Sequence, residues 1–357
     1  MSTRPLAVRT EVIDPLPIGP PEDTEALGVR CEALPLETVR AEPLIVDPDG
    51  TVDPATIDPL WIACELPAGQ GLFSCLKGAL PLELAAIPEC PVITLADLDP
   101  EALADLSFPE FPSPCVVPED ATPGDGLRDI TVPLSLELLI GGDLELTLVG
   151  HGPGDVSTET CADALLAGET AIPEPCILAV QRLSVGPTEQ LFAIAETLGV
   201  ELPGGLTGAP LADDPPDGDR NPRIVSFTVA IEHEDGSTEE AVDVAAGDTI
   251  TAQLGDVLKI VTEAPETDLQ TYLVPINGGA DGFEDREETY NGRWFRTWGR
   301  TLSGSSNDPT SMNEWTLRPH EDDETDRPEG DRATLFYVLR DDRRGVAWWW
   351  FHVDVAE

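Results

Sequence analysis

The chain has 357 residues, of which 68 are Asp or Glu and 20 are Lys or Arg, so its formal net charge is −48 at pH 7. So negative a net charge excludes nucleic acid and anionic membrane surfaces as default partners, because binding to either needs a positively charged surface. The hydrophobic fraction of 41% is enough for packed cores, and no apolar run reaches the length of about 18 residues that predicts a transmembrane segment.

Residues 1–205 are predicted to form a β-rich domain. Apolar side chains alternate with polar ones from Leu6 to Val12, which indicates a strand with one buried face. The same alternation occurs on both sides of a glycine-containing turn at residues 141–143. It predicts a long β-hairpin over residues 130–149.

Two short helices are predicted in the same domain. Pro100 occupies the first helical position before Glu101–Leu106, where its missing N–H costs nothing. Over Pro187–Leu198 the apolar side chains share one helical face, and Gly199 ends the helix. The proline-rich residues at about 77–128, which include cysteines, are predicted to form an insertion in the β domain.

All seven cysteines lie before residue 177, and no two of them are spaced as CxxC. Zinc ribbons and redox motifs need that close spacing, whereas a disulfide framework in an oxidising compartment does not. Seven reduced thiols buried in a cytosolic protein are the alternative. Spacing leaves the connectivity open, and pairing of neighbours is the simplest scheme. That scheme leaves Cys31 unpaired and joins Cys64–Cys75, Cys90–Cys115 and Cys161–Cys176.

Residues 206–222 combine Pro, Gly and Asp without apolar periodicity, which predicts an exposed linker. Residues 223–357 then show roughly seven or more short strand-like runs separated by turn residues, a pattern typical of an immunoglobulin-like sandwich. The last two runs, Ala333–Arg340 and Gly345–Val355, are predicted to form a hairpin. The predicted fold is therefore mainly β: two Ig-like β-sandwich domains, the first with a Cys-containing insertion and two short helices.

Strand Gly345–Val355 carries apolar side chains on both faces. Alternation puts Trp349 in the core and leaves Trp348 and Trp350 on the opposite face. Tryptophan on an outward face is typical of protein–protein contacts, although a platform for sugar rings or cover by the chain's own structure also accounts for it. We select Trp348 and Trp350 as candidate partner contacts, with Arg293 and Arg296 as their polar neighbours.

A second basic island lies in the turn of the predicted terminal hairpin. It contains Arg340, Arg343 and Arg344. In a field of −48 such islands are expected to dock on carboxylates, either within the molecule or between subunits. Ordinary surface ion pairs, each worth little, are the alternative.

Metal and catalytic motifs are weak in this sequence. Asp47, Asp49 and Asp53 surround a glycine turn and offer the oxygen ligands that Ca²⁺ prefers. Their spacing departs from the EF-hand pattern, and a solvated acidic turn is the alternative. The four histidines lie outside HExxH and no GxSxG is present, so no catalytic residue and no other cofactor is predicted.

Six short segments carry a resemblance to known proteins. RPLAVRTEV resembles a first strand, and VQRLSV with DRNPRI resembles a junction between modules. RWFRTWG, NEWTL and LFYVLRDDRRGVAWW resemble the core strands and last hairpin of a second module. The group concerned is that of uncharacterised surface lipoproteins of Gram-negative bacteria built of Ig-like modules. The resemblance covers residues 3–12 and most of 179–355, and implies an extracytoplasmic protein without enzymatic activity.

These features together predict a non-enzymatic structural or adhesive surface protein that acts through a protein partner or self-assembly. No leader or lipidated cysteine is visible, so a lipid anchor is expected to use a residue absent from this chain. Dense acid with only two lysines predicts adaptation to salt. One alternative is a head decoration or tail component of a salt-adapted virus, with reduced cysteines. The other is a secreted hydrolase, which predicts a deep cleft containing a carboxyl group of raised pKa.

Overall fold

The computed structural model describes residues 3–16, 29–67, 69–94, 97–98, 110–119, 125–139, 141–168, 172–197, 218–275, 283–320 and 325–356. Below, the first half means the described residues up to 197, and the second half means the described residues from 218 to 356. The predicted mainly β class is confirmed, because most described elements are strands. The helix predicted at Glu101–Leu106 lies outside the described residues.

The first half contains two four-stranded sheets. Sheet II consists of β1, β2, β3 and β6, which span Arg4–Asp14, Thr38–Asp47, Gly50–Val52 and Arg128–Thr131. Sheet I has the strand order β5, β4, β7, β8, spanning Cys115–Val116, Leu60–Leu66, Asp143–His151 and Cys176–Leu183. The two sheets enclose one core, to which Val39, Trp61 and Leu146 contribute.

Four α-helices and several 3₁₀ turns accompany these strands in the described residues. The helices α1–α4 span Ser74–Ala79, Leu136–Leu139, Thr158–Leu166 and Thr188–Thr197. The 3₁₀ turns span Pro54–Ile57, Leu84–Ala86, Glu266–Asp268 and Glu329–Asp331. Helix α4 confirms the helix predicted over residues 187–198, and its Leu191 is buried as an apolar helical face requires.

The second half contains two five-stranded sheets and a two-stranded arm. Sheet IV has the order β10, β9, β12, β18, β16, spanning Val242–Asp243, Ser226–Glu232, Val257–Glu263, Asn313–Thr316 and Arg300–Thr301. Sheet III has the order β11, β20, β19, β15, β17, spanning Thr249–Gln253, Val346–Ala356, Arg332–Asp341, Tyr290–Arg296 and Ser305–Ser306. The arm pairs β13 and β14, which span Thr271–Pro275 and Phe283–Glu287.

The two halves stack face to face, so the four sheets lie in the order I, II, III, IV. Sheets III and IV share a core that includes Trp315 and Phe351. A separate apolar cluster joins sheet II to sheet III and contains Ala7, Leu44, Val46, Phe336, Val338 and Val346. Strands β2 and β19 are therefore buried on both faces, which explains their continuous apolar runs at residues 44–46 and 335–339.

The hairpin predicted over residues 130–149 is wrong. Strand β6 pairs with β2, whereas β7 pairs with β4 and β8. Pro133 has no N–H to donate to a ladder, and the Ser135 hydroxyl accepts a hydrogen bond from the Leu138 backbone N–H at 3.3 Å. The chain therefore leaves the sheet and forms α2, in which Leu138 and Leu139 are fully buried.

The exposed linker predicted for residues 206–222 is wrong at its C-terminal end. Asp219, Arg220 and Asn221 are buried, and residues 206–217 lie outside the described residues. The Asn221 amide donates to the Thr10 carbonyl at 2.7 Å and accepts from the Val346 N–H at 2.8 Å. The segment thus bridges a strand of sheet II and a strand of sheet III, which is why its polar residues are buried.

Candidate functional site at the interface between the halves

The terminal hairpin of β19 and β20 forms with the predicted faces, and its outward face lies against sheet II. Trp348 and Trp350 are half-buried there and pack on the apolar cluster that sheet II supplies. The Arg9 guanidinium lies 4.6 Å from the centroid of the Trp348 ring, a cation–π contact between the halves. Both tryptophans therefore make contacts inside the molecule. This agrees with the alternative in which the chain's own structure covers them.

The two arginines selected as neighbours of these tryptophans lie on opposite faces of sheet III. Arg293 is level with Val338 and Trp348 across three strands, so it shares the face of the tryptophans, and it is exposed. Arg296 is level with Leu335 and therefore belongs to the opposite face. The reason is the period of two in a strand, because residues three apart point to opposite sides.

Truncation of the two tryptophans is expected to destabilise the protein. We expect Trp348→Ser and Trp350→Ser to cost roughly 1–2 kcal/mol each, because each removes half-buried apolar surface between the halves. Leu302→Ser is the control, since Leu302 is 69% exposed on sheet IV. Thermal unfolding measures the difference. An unchanged midpoint together with a lost binding partner would contradict this and support an outward contact surface.

A buried ionic cluster lies beside this apolar interface, centred on Arg343 in the turn between β19 and β20. The guanidinium donates to Glu288 Oε1 at 2.9 Å and to Gln270 Oε1 at 3.1 Å, and it also donates to Glu32 of the first half. The charged members Arg343, Glu288 and Glu32 are 8%, 3% and 7% exposed. Tyr272 of the arm covers the guanidinium, with its ring centroid 4.9 Å away.

Two aspartates complete the cluster. Asp219 is 1% exposed, and its Oδ2 accepts a hydrogen bond from the Cys31 thiol at 3.2 Å. Asp341 Oδ1 accepts from the backbone N–H groups of Arg343 at 3.0 Å and Gly345 at 2.8 Å. Burial, followed by the neighbouring carboxylates, raises the pKa of Asp341 to about 7 and the pKa of Asp219 well above its usual value. Burial also raises the pKa of Glu288.

The adjacent Arg344 makes a second ionic link between the halves. Its guanidinium donates to Asp143 Oδ1 at 2.7 Å, and Arg182 donates to Asp143 Oδ2 at 3.2 Å. The Ser184 hydroxyl donates to the Arg343 carbonyl at 2.6 Å. Arg343 and Arg344 of the basic island thus dock on carboxylates within the molecule, whereas Arg340 donates to the Leu6 carbonyl at 3.0 Å.

The carboxylates predicted as calcium ligands hold turns of the backbone. Asp47 Oδ1 accepts from the N–H groups of Asp49 at 2.8 Å and Gly50 at 3.1 Å. Asp53 Oδ1 accepts from the Ala55 N–H at 3.0 Å and caps a 3₁₀ turn. Within the described residues no group of three or more His, Cys, Asp or Glu is arranged to hold a metal ion. Calcium binding here stays a prediction.

An open groove of about 470 Å³ lies between the β2–β3 turn and the end of β20. Its lining includes Asp49, Arg332 and Asp354. Arg332 binds Asp354 at 2.7 Å and, through this hydrogen bond, lowers the pKa of that carboxyl group. The carboxyl groups of raised pKa in the ionic cluster lie elsewhere and are buried.

Three disulfides join the neighbouring cysteines: Cys64–Cys75, Cys90–Cys115 and Cys161–Cys176. The predicted neighbour pairing is confirmed. Cys31 is free and 2% exposed, and it belongs to the ionic cluster. No helix in the described part of the chain is long and apolar enough to cross a bilayer.

No family model matches the chain, and no curated protein matches it. A solved structure, that of dimeric latent PorU from Porphyromonas gingivalis, is similar at 10% sequence identity with a TM-score of 0.21. The similarity covers 100% of this chain and 24% of that chain. A TM-score this low carries no argument about fold or function.

Proposed function

We propose that this protein is a non-enzymatic structural or adhesive protein outside the cytoplasm, acting at a cell surface through protein–protein contacts. The observation that carries the proposal is the joining of the two halves into one four-layer body. The outward tryptophans, the basic hairpin turn and the buried acids all serve this joining. Three disulfides are compatible with an oxidising, extracytoplasmic setting.

We further propose that the second half is an Ig-like module. In sheet IV, β9, β12, β18 and β16 are adjacent in the order of strands A, B, E and D of an Ig domain. In sheet III, β15, β19 and β20 are adjacent in the order of strands C, F and G. An Ig-like module presents its outer surfaces to other proteins, which suits an adhesive or structural role.

We therefore expect contacts with a partner on an outer face of the molecule, such as that of sheet IV. Sheet IV carries exposed apolar side chains, with Leu302 69%, Met312 51% and Val261 37% exposed. Leu302 is hydrogen-bonded through its backbone N–H to Glu314 on the neighbouring strand, so it continues the outer face of that sheet. Replacing these side chains is expected to leave the interface between the halves intact, which makes them suitable positions for separating adhesion from stability.

The hydrolase alternative receives less support than the structural one. It requires a carboxyl group of raised pKa inside an accessible cleft. Asp341 has the raised pKa but is 8% exposed. The groove that contains Asp354 is accessible, but the pKa of that carboxyl group is lowered. At neither of these two places do the required properties coincide.

The test uses protein from its native source. Free thiols are alkylated, the intact mass is measured with and without reduction, and intact cells are treated with protease before lysis. The proposal expects three disulfides, one free thiol and peptides released from intact cells. Seven free thiols, with peptides released only after lysis, would overturn it. Free thiols with copurification in virus particles would favour the virion component instead.

A further inference from the structure

The ionic cluster at the interface holds more carboxyl groups than cations. Glu32, Asp219, Glu288 and Asp341 are each at most 8% exposed, and the Arg343 guanidinium contacts two of them. These residues come from widely separated parts of the chain and from both halves. The complete cluster therefore forms only when the halves are together.

Two of these carboxyl groups act on each other. The charge of Glu288 is among the causes that raise the pKa of Asp219, and neighbouring buried carboxyl groups favour retention of a proton. Asp219 Oδ2 also accepts a hydrogen bond from the Cys31 thiol at 3.2 Å. The Asp219 backbone N–H donates to Glu32 Oε2 at 2.9 Å. The first half thus holds Asp219, one member of this carboxyl pair, in position.

Several elements packed around Asp219 and Asp341 contribute a titratable or charged group. Arg343 is a cation that acts on both aspartates, and the buried Arg220 donates its backbone N–H to Asp219 Oδ1 at 2.8 Å. Arg30, in the same segment as Cys31, is paired with Glu37. The groups that face the two aspartates are Cys31, Glu32, Glu288, Tyr290 and Arg343.

We propose that this cluster is a proton-operated latch between the two halves. The interface is held most firmly while the buried carboxyl groups retain bound protons, and it opens locally more often as those protons leave. Full ionisation would gather four carboxylates around the Arg343 guanidinium out of contact with water, which is unfavourable for each ion left unpaired. Local opening relieves that cost by hydrating the carboxylates.

The direction of the pH dependence follows from proton binding. Burial raises the pKa of Asp341 to about 7 in the closed state, whereas a hydrated aspartate has a pKa of about 4. Between these values the closed state holds more protons than the open state. Closure is therefore strongest below about pH 4, weakens as pH rises, and has lost this contribution above about pH 7.

Cys31 reports on opening without any introduced cysteine, because it is the one cysteine outside the disulfides and is 2% exposed. The full chain is alkylated with iodoacetamide between pH 5 and pH 8. Dividing each rate by the rate in denatured protein at the same pH cancels the ionisation of the thiol. For each proton released on opening, this ratio is expected to rise about tenfold per pH unit between pH 5 and pH 7.

Variants of the cluster test whether it causes the pH dependence of Cys31 alkylation. Asp219→Asn and Asp341→Asn each replace a titrating group with a neutral one, so each is expected to flatten the profile. Asp243→Asn, which makes the same change on the exposed strand β10, should keep the wild-type profile. Far-UV circular dichroism at each pH verifies that both halves remain folded, as local opening requires.

Three outcomes would overturn the latch. The first is a wild-type ratio that changes less than about threefold between pH 5 and pH 8, far below the tenfold per unit expected for one proton. The second is an undiminished slope in both aspartate variants, or in Asp341→Asn alone when Asp219→Asn does not fold. The third is loss of circular dichroism in step with Cys31 exposure, which would show global unfolding.

Discussion

Replacing Arg343 with methionine is expected to lower the free energy of unfolding by about 3–5 kcal/mol, because removal of one partner leaves buried carboxylates without their cation. Glu288 and Glu32 both accept hydrogen bonds from this guanidinium and are 3% and 7% exposed. Methionine keeps much of the volume of the side chain, so the change reports on charge and hydrogen bonding. Urea unfolding at pH 8 measures the loss.

Arg332→Met is the matched control for that experiment. Arg332 also binds a carboxylate, Asp354 at 2.7 Å, but the two side chains are 46% and 48% exposed. Exposed pairs of this kind contribute roughly 0–1 kcal/mol. Equal losses in the two variants would show that the interface cluster is hydrated in solution. At pH 5 the loss in Arg343→Met should be smaller, because protons then neutralise the carboxyl groups.

Reduction of the disulfides is expected to destabilise the first half much more than the second. The three bridges close segments with sequence separations of 11, 25 and 15 residues, and loops of this size contribute roughly 3 kcal/mol each in the chain-entropy account. Their sum is comparable to the whole stability of an ordinary domain, about 5–15 kcal/mol. The second half has no cysteine.

Hydrogen exchange with and without reductant measures this difference between the halves. On reduction, backbone amides of β4, β7 and α3 should lose protection, because the bridged cysteines Cys64 and Cys161 lie in or beside them. Amides of β19, which pairs with β15 and β20 in the second half, should lose less. The non-reduced protein in the same buffer is the control. Equal loss of protection along the whole chain would mean that the halves unfold as one cooperative unit.

The terminal hairpin shows what alternation in a sequence reveals. The period of two correctly separated Trp349 and Phe351, which pack with the core of the second half, from Trp348 and Trp350. The pattern contains no information about what covers an outward face. Here the cover comes from Leu44 and its neighbours in sheet II, some 300 positions earlier in the chain, and only the tertiary structure brings them together.

The ionic cluster could not be predicted from short stretches of sequence, for a related reason. The basic turn that contains Arg343 and Arg344 was recognisable as a docking point, but 68 acids offered too many partners. Asp219 lies in a segment rich in Pro, Gly and Asp, which is the usual composition of an exposed linker. Its burial depends on contacts with both halves, which no window of sequence contains.

Local signals also competed within the first half. The alternation around residues 130–140 favoured one strand, but Pro133 and the helix-capping Ser135 interrupted it. The pairing of neighbouring cysteines was correct because each pair closes a short segment. Of the partner contacts, Arg293 shares the predicted face of sheet III and Arg296 does not, an outcome that strand periodicity already contained.

Face-to-face stacking of the halves limits how this protein can be divided or recombined. Tandem β modules joined end to end can be expressed singly or exchanged between proteins, since each buries its own core. Here a fragment of residues 218–357 would expose Phe336, Val338 and both outward tryptophans to water. Each half therefore covers apolar surface of the other, and the two halves together are the smallest unit that can be moved into another protein without exposing that surface.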